Sequence, residues 1–533
     1  MKRILRVILA ICFFCPFVLY FLDFAELYPK RLNFLMELQI VPAFMKLNLW
    51  ILGGIFLLTL LFGRIYCSVI CPLGVFQDLT AWTGSFFRKK KKYGFHPPKT
   101  VLRFLFLAVF LLSGLLGFSA GLYFLDPYSI FGRLTASLFS PVYCLGNNLL
   151  AYFSAKFEIG DFYHVTAIEG NAPTLIFSAV MMILIVYLAI RFGRIWCNAV
   201  CPIGTILGLV SRLAIFRIRI DRSKCNHCGL CAGKCKSSCI NNKEQTVDLS
   251  RCVACFNCLN GCPKGAISWG IGFSPSQKSN PLPENKDPKG PDQKKRDFLI
   301  TLSAAAAALT LPEPAAKKTK ETIEKESAPK PDEDPAKTPE PYGLIPYHQE
   351  EPISPPGAIS REHFTAKCTA CHLCVNKCPA DVLQPAVLEY GLAGIMQPQM
   401  IFKYGFCNFD CTLCTEVCPN GALVKLSMDE KHREQMGQVH FIKENCIVFA
   451  DETSCGACSE HCPTQAVRMV PYKGELTIPE IDPEICVGCG GCEHICPARP
   501  YRAIYVDGNR VHLKAKPFKE AEKKEIKLDD FGF

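Results

Sequence analysis

Twenty-four of the 32 cysteines fall into six runs of four, and their spacing is the first chemical signal in the chain. In the first half the runs are Cys225, Cys228, Cys231, Cys235 and Cys252, Cys255, Cys258, Cys262. In the second half they are Cys368, Cys371, Cys374, Cys378; Cys407, Cys411, Cys414, Cys418; Cys446, Cys455, Cys458, Cys462; and Cys486, Cys489, Cys492, Cys496. The shared design is C-x2-C-x2-C-x3-C-P. Three thiolates at such intervals wrap one face of an iron–sulfur cubane, and the fourth, followed by proline, reaches the neighbouring cluster. Tetrahedral zinc uses two C-x2-C pairs with a longer spacer between them. The runs therefore predict six [4Fe–4S] clusters, with iron held by these cysteines. Three runs depart from the design; one has three residues, not two, between Cys407 and Cys411, and two differ more. Cys235 is followed by Lys236, and Cys239 is a second candidate for the fourth ligand, although the x3 spacing favours Cys235. In the other, eight residues separate Cys446 from Cys455, a gap that a loop bridges without losing the ligand.

Eight cysteines remain. Phe62-Gly63-Arg64-Ile65-Tyr66-Cys67 leads to Cys71-Pro72-Leu73-Gly74, and 130 residues later Phe192-Gly193-Arg194-Ile195-Trp196-Cys197 leads to Cys201-Pro202-Ile203-Gly204. This is an internal repeat. It makes Cys67, Cys71, Cys197 and Cys201 candidate redox or metal-binding thiols; otherwise they pack helix ends that the prolines and glycines shape. Cys12, Cys15 and Cys144 read as small apolar fillers. His227, His372, His461 and His494 lie inside the cysteine runs, where they read as outer donors or exposed loop residues. Asp23, Glu26, Asp126, Asp161 and His164, at the edges of apolar stretches, are candidates for a proton relay.

The elements that must hold these residues follow from the apolar pattern. Runs near 5–22, 47–62, 101–125 and 174–190 approach the length of about 17–25 residues that crosses a bilayer. Lys2, Arg3 and Arg6, then Arg64 and Arg88 to Lys92, then Arg191, Arg194, Arg212, Arg217 and Arg219 fall on one side of four such spans, which the positive-inside rule makes the cytoplasm. Residues 126–173 then read as an outside loop. The expected fold is a membrane α-helical, four-helix transmembrane domain over 1–219, plus two ferredoxin-like α+β [4Fe–4S] modules. The first module, 220–270, carries two clusters and faces the cytoplasm; the second, 360–512, carries four. A Pro-, Lys- and Glu-rich linker spans 271–359, and a charged tail spans 513–533.

The formal charge of +11 suggests nucleic acid until the clusters are counted. At about 2− each, six contribute about −12, leaving a near-neutral protein. No basic-aromatic module, Rossmann glycine fingerprint, P-loop or nucleophile triad appears.

Residues 1 to about 270, with two CxxxCP(L/I)G pairs, four expected spans and a two-cluster module, resemble the NapH-type membrane ferredoxins, related to the NosR and CcoG types. Residues 360–512 resemble the NapG/MauM-type polyferredoxins, which likewise have an irregular second run and a long gap in the third. The resemblance is to a NapH–NapG fusion. It implies an electron-transfer component similar to a quinol dehydrogenase, in a multi-pass bacterial inner-membrane protein, with the quinone pool as donor and a periplasmic reductase or cytochrome as redox partner. NapG-type proteins carry a twin-arginine signal, which Lys295-Arg296-Asp297-Phe298-Leu299 within 294–316 matches except for its first lysine; this puts 360–512 in the periplasm. The CcoG resemblance leaves a different role open, in which the CxxxCP thiols reduce or deliver a metal to a maturing enzyme.

Overall fold

A computed structural model describes residues 1–23, 28–87, 93–117, 119–157, 162–165, 172–271, 343–347 and 349–517. The twin-arginine-like segment 294–316, the basic run 88–92, Glu26 and Asp161 lie outside these residues. Residues Met1–Phe273 and Pro341–Phe533 form one compact unit.

Two helices, Lys2–Leu22 and Ala172–Phe192, have 21 residues each and are long and apolar enough to cross a membrane. At 1.5 Å per residue each is about 31 Å long. The other two expected spans differ. The stretch 47–62 forms a 14-residue helix, Leu49–Phe62, capped by Asn48, whose side-chain oxygen accepts from the Ile51 N–H at 3.3 Å. The stretch 101–125 is not one helix: Thr100–Leu115 ends before Gly117, which sits at φ +70°, and Ser119–Leu125 packs back against it. Hydropathy is continuous through the break, so only the left-handed turn at Gly117 marks it. The stretch 126–173, expected as a loop between spans, contains helices Pro127–Leu134 and Ser140–Lys156 joined by a π-helical turn, Thr135–Phe139. On the helices Trp50, Leu57, Leu111, Leu112, Ile176 and Ile183 are exposed.

The cysteine-rich parts repeat one plan. Strand Phe216–Ile220 precedes the first two runs, hairpin Ile240–Asn241/Thr246–Val247 separates them, and strand Ile267–Ile271 returns antiparallel with Phe216 opposite Ile271 and Ile220 opposite Ile267. The last two runs are framed the same way by Glu434–Phe441 and Ile504–Lys514, with hairpin Val467–Pro471/Thr477–Ile481 between them. The pair 368–418 keeps the central hairpin, Leu383–Pro385/Pro398–Met400. Such short strands bury little apolar side-chain surface of their own; the cysteines complete the cores, as Cys486, Cys489, Cys492 and Cys496 do beside Val487 and Ile504.

The two parts meet opposite ends of the first helix. At its start the Lys2 ammonium lies 4.5 Å from the ring centre of Trp269, in the first module. At its far end Asn376 donates to the Phe21 carbonyl, and Lys377 pairs with Asp23 at 2.9 Å. The second domain also covers the returning helices. Tyr123 Oη donates to the Ile395 carbonyl at 2.6 Å, and Arg133 to the Ala370 carbonyl at 3.2 Å.

Candidate iron–sulfur sites

Each site begins as a tight loop. In the runs His227, Ala254, Phe256, Ala370 and His372 adopt the left-handed region without being glycine. This conformation costs energy and turns backbone N–H groups towards a concave centre that suits an anion. The Ala370 N–H points at Cys368 Sγ (3.5 Å) and the Gly488 N–H at Cys486 Sγ (3.3 Å). The fourth cysteines receive N–H groups as well: Ala266 to Cys262 at 3.2 Å, Ala466 to Cys462 at 3.1 Å.

Five cavities are walled by cysteines, and each combines three from one run with a fourth from its partner run. Cys225, Cys228 and Cys231 meet Cys262. Cys252, Cys255 and Cys258 meet Cys235, with Cys239 beside it. Cys368, Cys371 and Cys374 meet Cys418; Cys407, Cys411 and Cys414 meet Cys378; Cys446, Cys455 and Cys458 meet Cys496. The remaining cysteines, Cys486, Cys489, Cys492 and Cys462, lie within range of one another's charge. The exchange of fourth cysteines between runs is the arrangement a two-cluster ferredoxin requires, so the residues fit the cofactor. Among the described residues no three His, Cys, Asp or Glu side chains close around a single metal ion; thiolates on a cluster core stand further apart than those around one ion at about 2.3 Å.

The sites are ordered. Cys255 and Cys371 both belong to the buried cluster of the helical part. Cys374 lies within charge range of Cys414, the Cys407 N–H donates to the Cys489 carbonyl at 2.9 Å, and Cys492 lies within charge range of Cys458. The four sites of the second cysteine-rich domain therefore run in file from Cys371 to Cys458. Lys431 is fully buried at the step between the second and third of them. Burial lowers its pKa, but the charges of Cys407, Cys414 and Cys489 outweigh this and hold it above its ordinary value. Nothing in the sequence pattern marks Lys431.

His372 is buried, its Nε2 2.8 Å from the Met396 carbonyl; burial and then Arg133 push its pKa down to about 3, so it stays neutral and donates that bond. His227, His461 and His494 each bond a backbone carbonyl through Nδ1. Of the proton-relay candidates, Asp23 is committed to Lys377, and Asp126 caps Pro127–Leu134, accepting from Ser129 N–H (2.9 Å) and Oγ (2.7 Å). His164 is exposed.

Cys67, Cys71, Cys197 and Cys201 are brought together: all are 4–5% exposed, and Cys71 lies within charge range of the other three. Cys144 is buried apart from them, and Cys12 and Cys15 are exposed on the first helix. Arg64 and Arg194, counted above as flanking charges, are instead 0% and 1% exposed. Asp78 pairs with Arg194 (2.9 Å), Lys236 (3.5 Å) and Arg6. Burial raises its pKa, but the three cations outweigh that and hold the carboxyl well below its usual range.

The chain matches family models described as a 4Fe-4S binding domain, over 46–94 and 174–222, and as 4Fe-4S dicluster domains, over 367–447 and 453–499. It is similar to the putative electron transport protein YccM of Escherichia coli (strain K12), 27% identical over 233 residues, 42% of this chain and 55% of that protein. The methylamine utilization ferredoxin-type protein MauM of Methylophilus methylotrophus is 32% identical over 143 residues, 26% of this chain and 62% of MauM. The ferredoxin-type protein NapF of Escherichia coli (strain K12) is 27% identical over 137 residues, 26% of this chain and 75% of NapF. The chain thus spans little more than half the length of YccM and about three-fifths of MauM. No solved structure matches. By cysteine geometry and by likeness, this is an iron–sulfur protein of ferredoxin-type electron transfer.

Proposed function

We propose that the chain is a membrane-anchored wire that takes electrons from the quinol pool to a periplasmic redox partner, as a NapH-type and a NapG-type protein joined in one chain. The observation that carries this reading is that one buried cluster of side chains runs from Cys255, through the helical part, to Cys371, while the two cysteine-rich parts contact opposite ends of the first helix. The six sets of cysteines hold six [4Fe–4S] clusters, with Cys235 as the fourth ligand of its set. Each cluster, when bound, exchanges one electron at a time. The protein's part is to hold the sites in file, exclude water and set their charge environment. Tyr128 does this at the point of entry to the outer domain, its hydroxyl donating to Cys371 Sγ at 3.6 Å.

The exposed apolar faces of Leu49–Phe62 and Thr100–Leu115, with the two longer helices, support a multi-pass inner-membrane anchor. Residues 220–270 then face the cytoplasm and 360–512 the periplasm. The metal-delivery role fits less well, because Cys67, Cys71, Cys197 and Cys201 offer no exposed thiol to a partner.

A soluble ubiquinol or menaquinol analogue added anaerobically to the full chain should bleach the cluster absorbance. Bleaching by dithionite but by neither quinol would overturn the assignment of the donor. A reporter after Phe533 should be active in the periplasm and one after Trp269 should not; cytoplasmic activity for both would move the acceptor inside.

A further inference from the structure

The two segments matched as 4Fe-4S binding domains, 46–94 and 174–222, contain two cysteines each: Cys67 and Cys71, then Cys197 and Cys201. Neither alone supplies four thiolates. The fold joins them. Arg64 of the first copy donates to the Cys197 carbonyl of the second at 3.0 Å, and Arg194 of the second donates to the Cys67 carbonyl of the first. Gly74 and Gly204 occupy equivalent places, where a Cβ would strike the Cys67 and Cys197 carbonyls respectively. The copies are thus locked crosswise, with the four thiols gathered between them.

We propose that Cys67, Cys71, Cys197 and Cys201 together ligate one further iron–sulfur cluster, shared by the two repeats and lying between the inner and outer modules. The proposal rests on the electron-transfer reading only for what the site is used for.

Three observations carry it. First, the sulfurs already receive donors suited to thiolates: Gly204 N–H to Cys201 Sγ at 3.3 Å, and Gln77 Nε2 to Cys197 Sγ at 3.3 Å. Second, Arg64 is a fully buried cation with neutral acceptors, the Asn198 side-chain oxygen (2.9 Å) and the carbonyls of Ser250 (3.0 Å) and Cys197. Its guanidinium also lies 3.9 Å from Cys67 Sγ. Its Nε has no partner, and among the described residues no carboxylate pairs with it. A buried charge is costly unless an opposite charge faces it; a cluster on four thiolates, about 2− overall, is such a charge. Third, the thiols stand where the file of sites is broken. Cys67, Cys71 and Cys201 share one buried cluster with Cys255 on one side and Cys371 on the other, and Cys197 sits in a π-helical turn, Trp196–Val200, a distortion frequent at functional sites. There the cluster would take one electron from one neighbour and give it to the other, with no bond made or broken.

The test is iron and acid-labile sulfide per chain in the anaerobically reconstituted full-length protein. The expected wild-type value is about 28 of each, against about 24 for six clusters. Cys67→Ser combined with Cys197→Ser should return it to about 24, while Cys144→Ser leaves it at 28. A loss of two irons would also support the site, as a two-iron cluster on the same thiolates. A wild type at 24 overturns the proposal, whether or not the double variant folds. Because no quinol enters the assay, the site can stand if the quinol reading falls.

Discussion

Lys377 Nζ lies 2.9 Å from Asp23 Oδ2, and both side chains are buried where the outer domain meets the end of the first helix. Removing one partner of a buried pair strands the other charge at a cost of about 3–5 kcal/mol. Lys377→Ala should therefore loosen docking without touching a ligand. Hydrogen exchange should rise over Ser119–Leu134 while iron content stays unchanged; unaltered exchange would show that the pair does not hold the domain.

Asp78 joins the first helix, the second repeat and the inner module through Arg6, Arg194 and Lys236. Asp78→Asn leaves three cations without their shared anion. It should lower thermal stability by several kcal/mol and loosen the inner module first, seen as loss of its clusters before those of the outer domain. Simultaneous loss in both parts would argue that Asp78 is a general packing residue.

Burial pushes the Asp381 carboxyl up to about 6, above the ~3.9 of an unfolded aspartate. The folded chain binds this proton more tightly, so the stability it contributes is full below about pH 3.9 and is lost as the pH rises through 6. Asp381→Asn, at a φ of +50° that asparagine tolerates, should melt higher than wild type near pH 7.5. That advantage should shrink as the pH falls to about 5; an advantage that grows towards acid would contradict the assignment.

Cys235 Sγ faces the backbone N–H side of Ser237, Cys239 and Ile240, two, four and five residues on, with the Cys239 Sγ 3.4 Å away. Cys378 faces that of Ala380, Val382 and Leu383 at the same offsets. Cys235→Ala is therefore expected to cost about four irons and Cys239→Ala none; the reverse result would make Cys239 the ligand.

The cysteine runs were legible because cluster chemistry requires fixed spacing, whatever fold surrounds it. The repeat around Cys67 and Cys197 was legible because the two segments share one pattern 130 residues apart, but the roles of Arg64 and Arg194 were not. An arginine at the end of an apolar run looks like a topological charge, and only the tertiary crossing of the repeats reveals that it is buried. The break at Gly117 was hidden by an apolar run that continues through it. Lys431 owes its setting to cysteines of two different runs, Cys407 and Cys414 in one and Cys489 in another, and Tyr123 and Arg133 dock on Ile395 and Ala370, more than two hundred residues on, so no local window contains these contacts.

Sites in single file form a series circuit. On the proposed wire, with its sites in one file, the fraction of chains that conduct would be the product of all the individual occupancies. The most vulnerable position then governs the whole. Cys228 is exposed in the inner module, so on the proposed wire a cluster oxidised there would silence a route that begins in that module while the outer sites keep theirs.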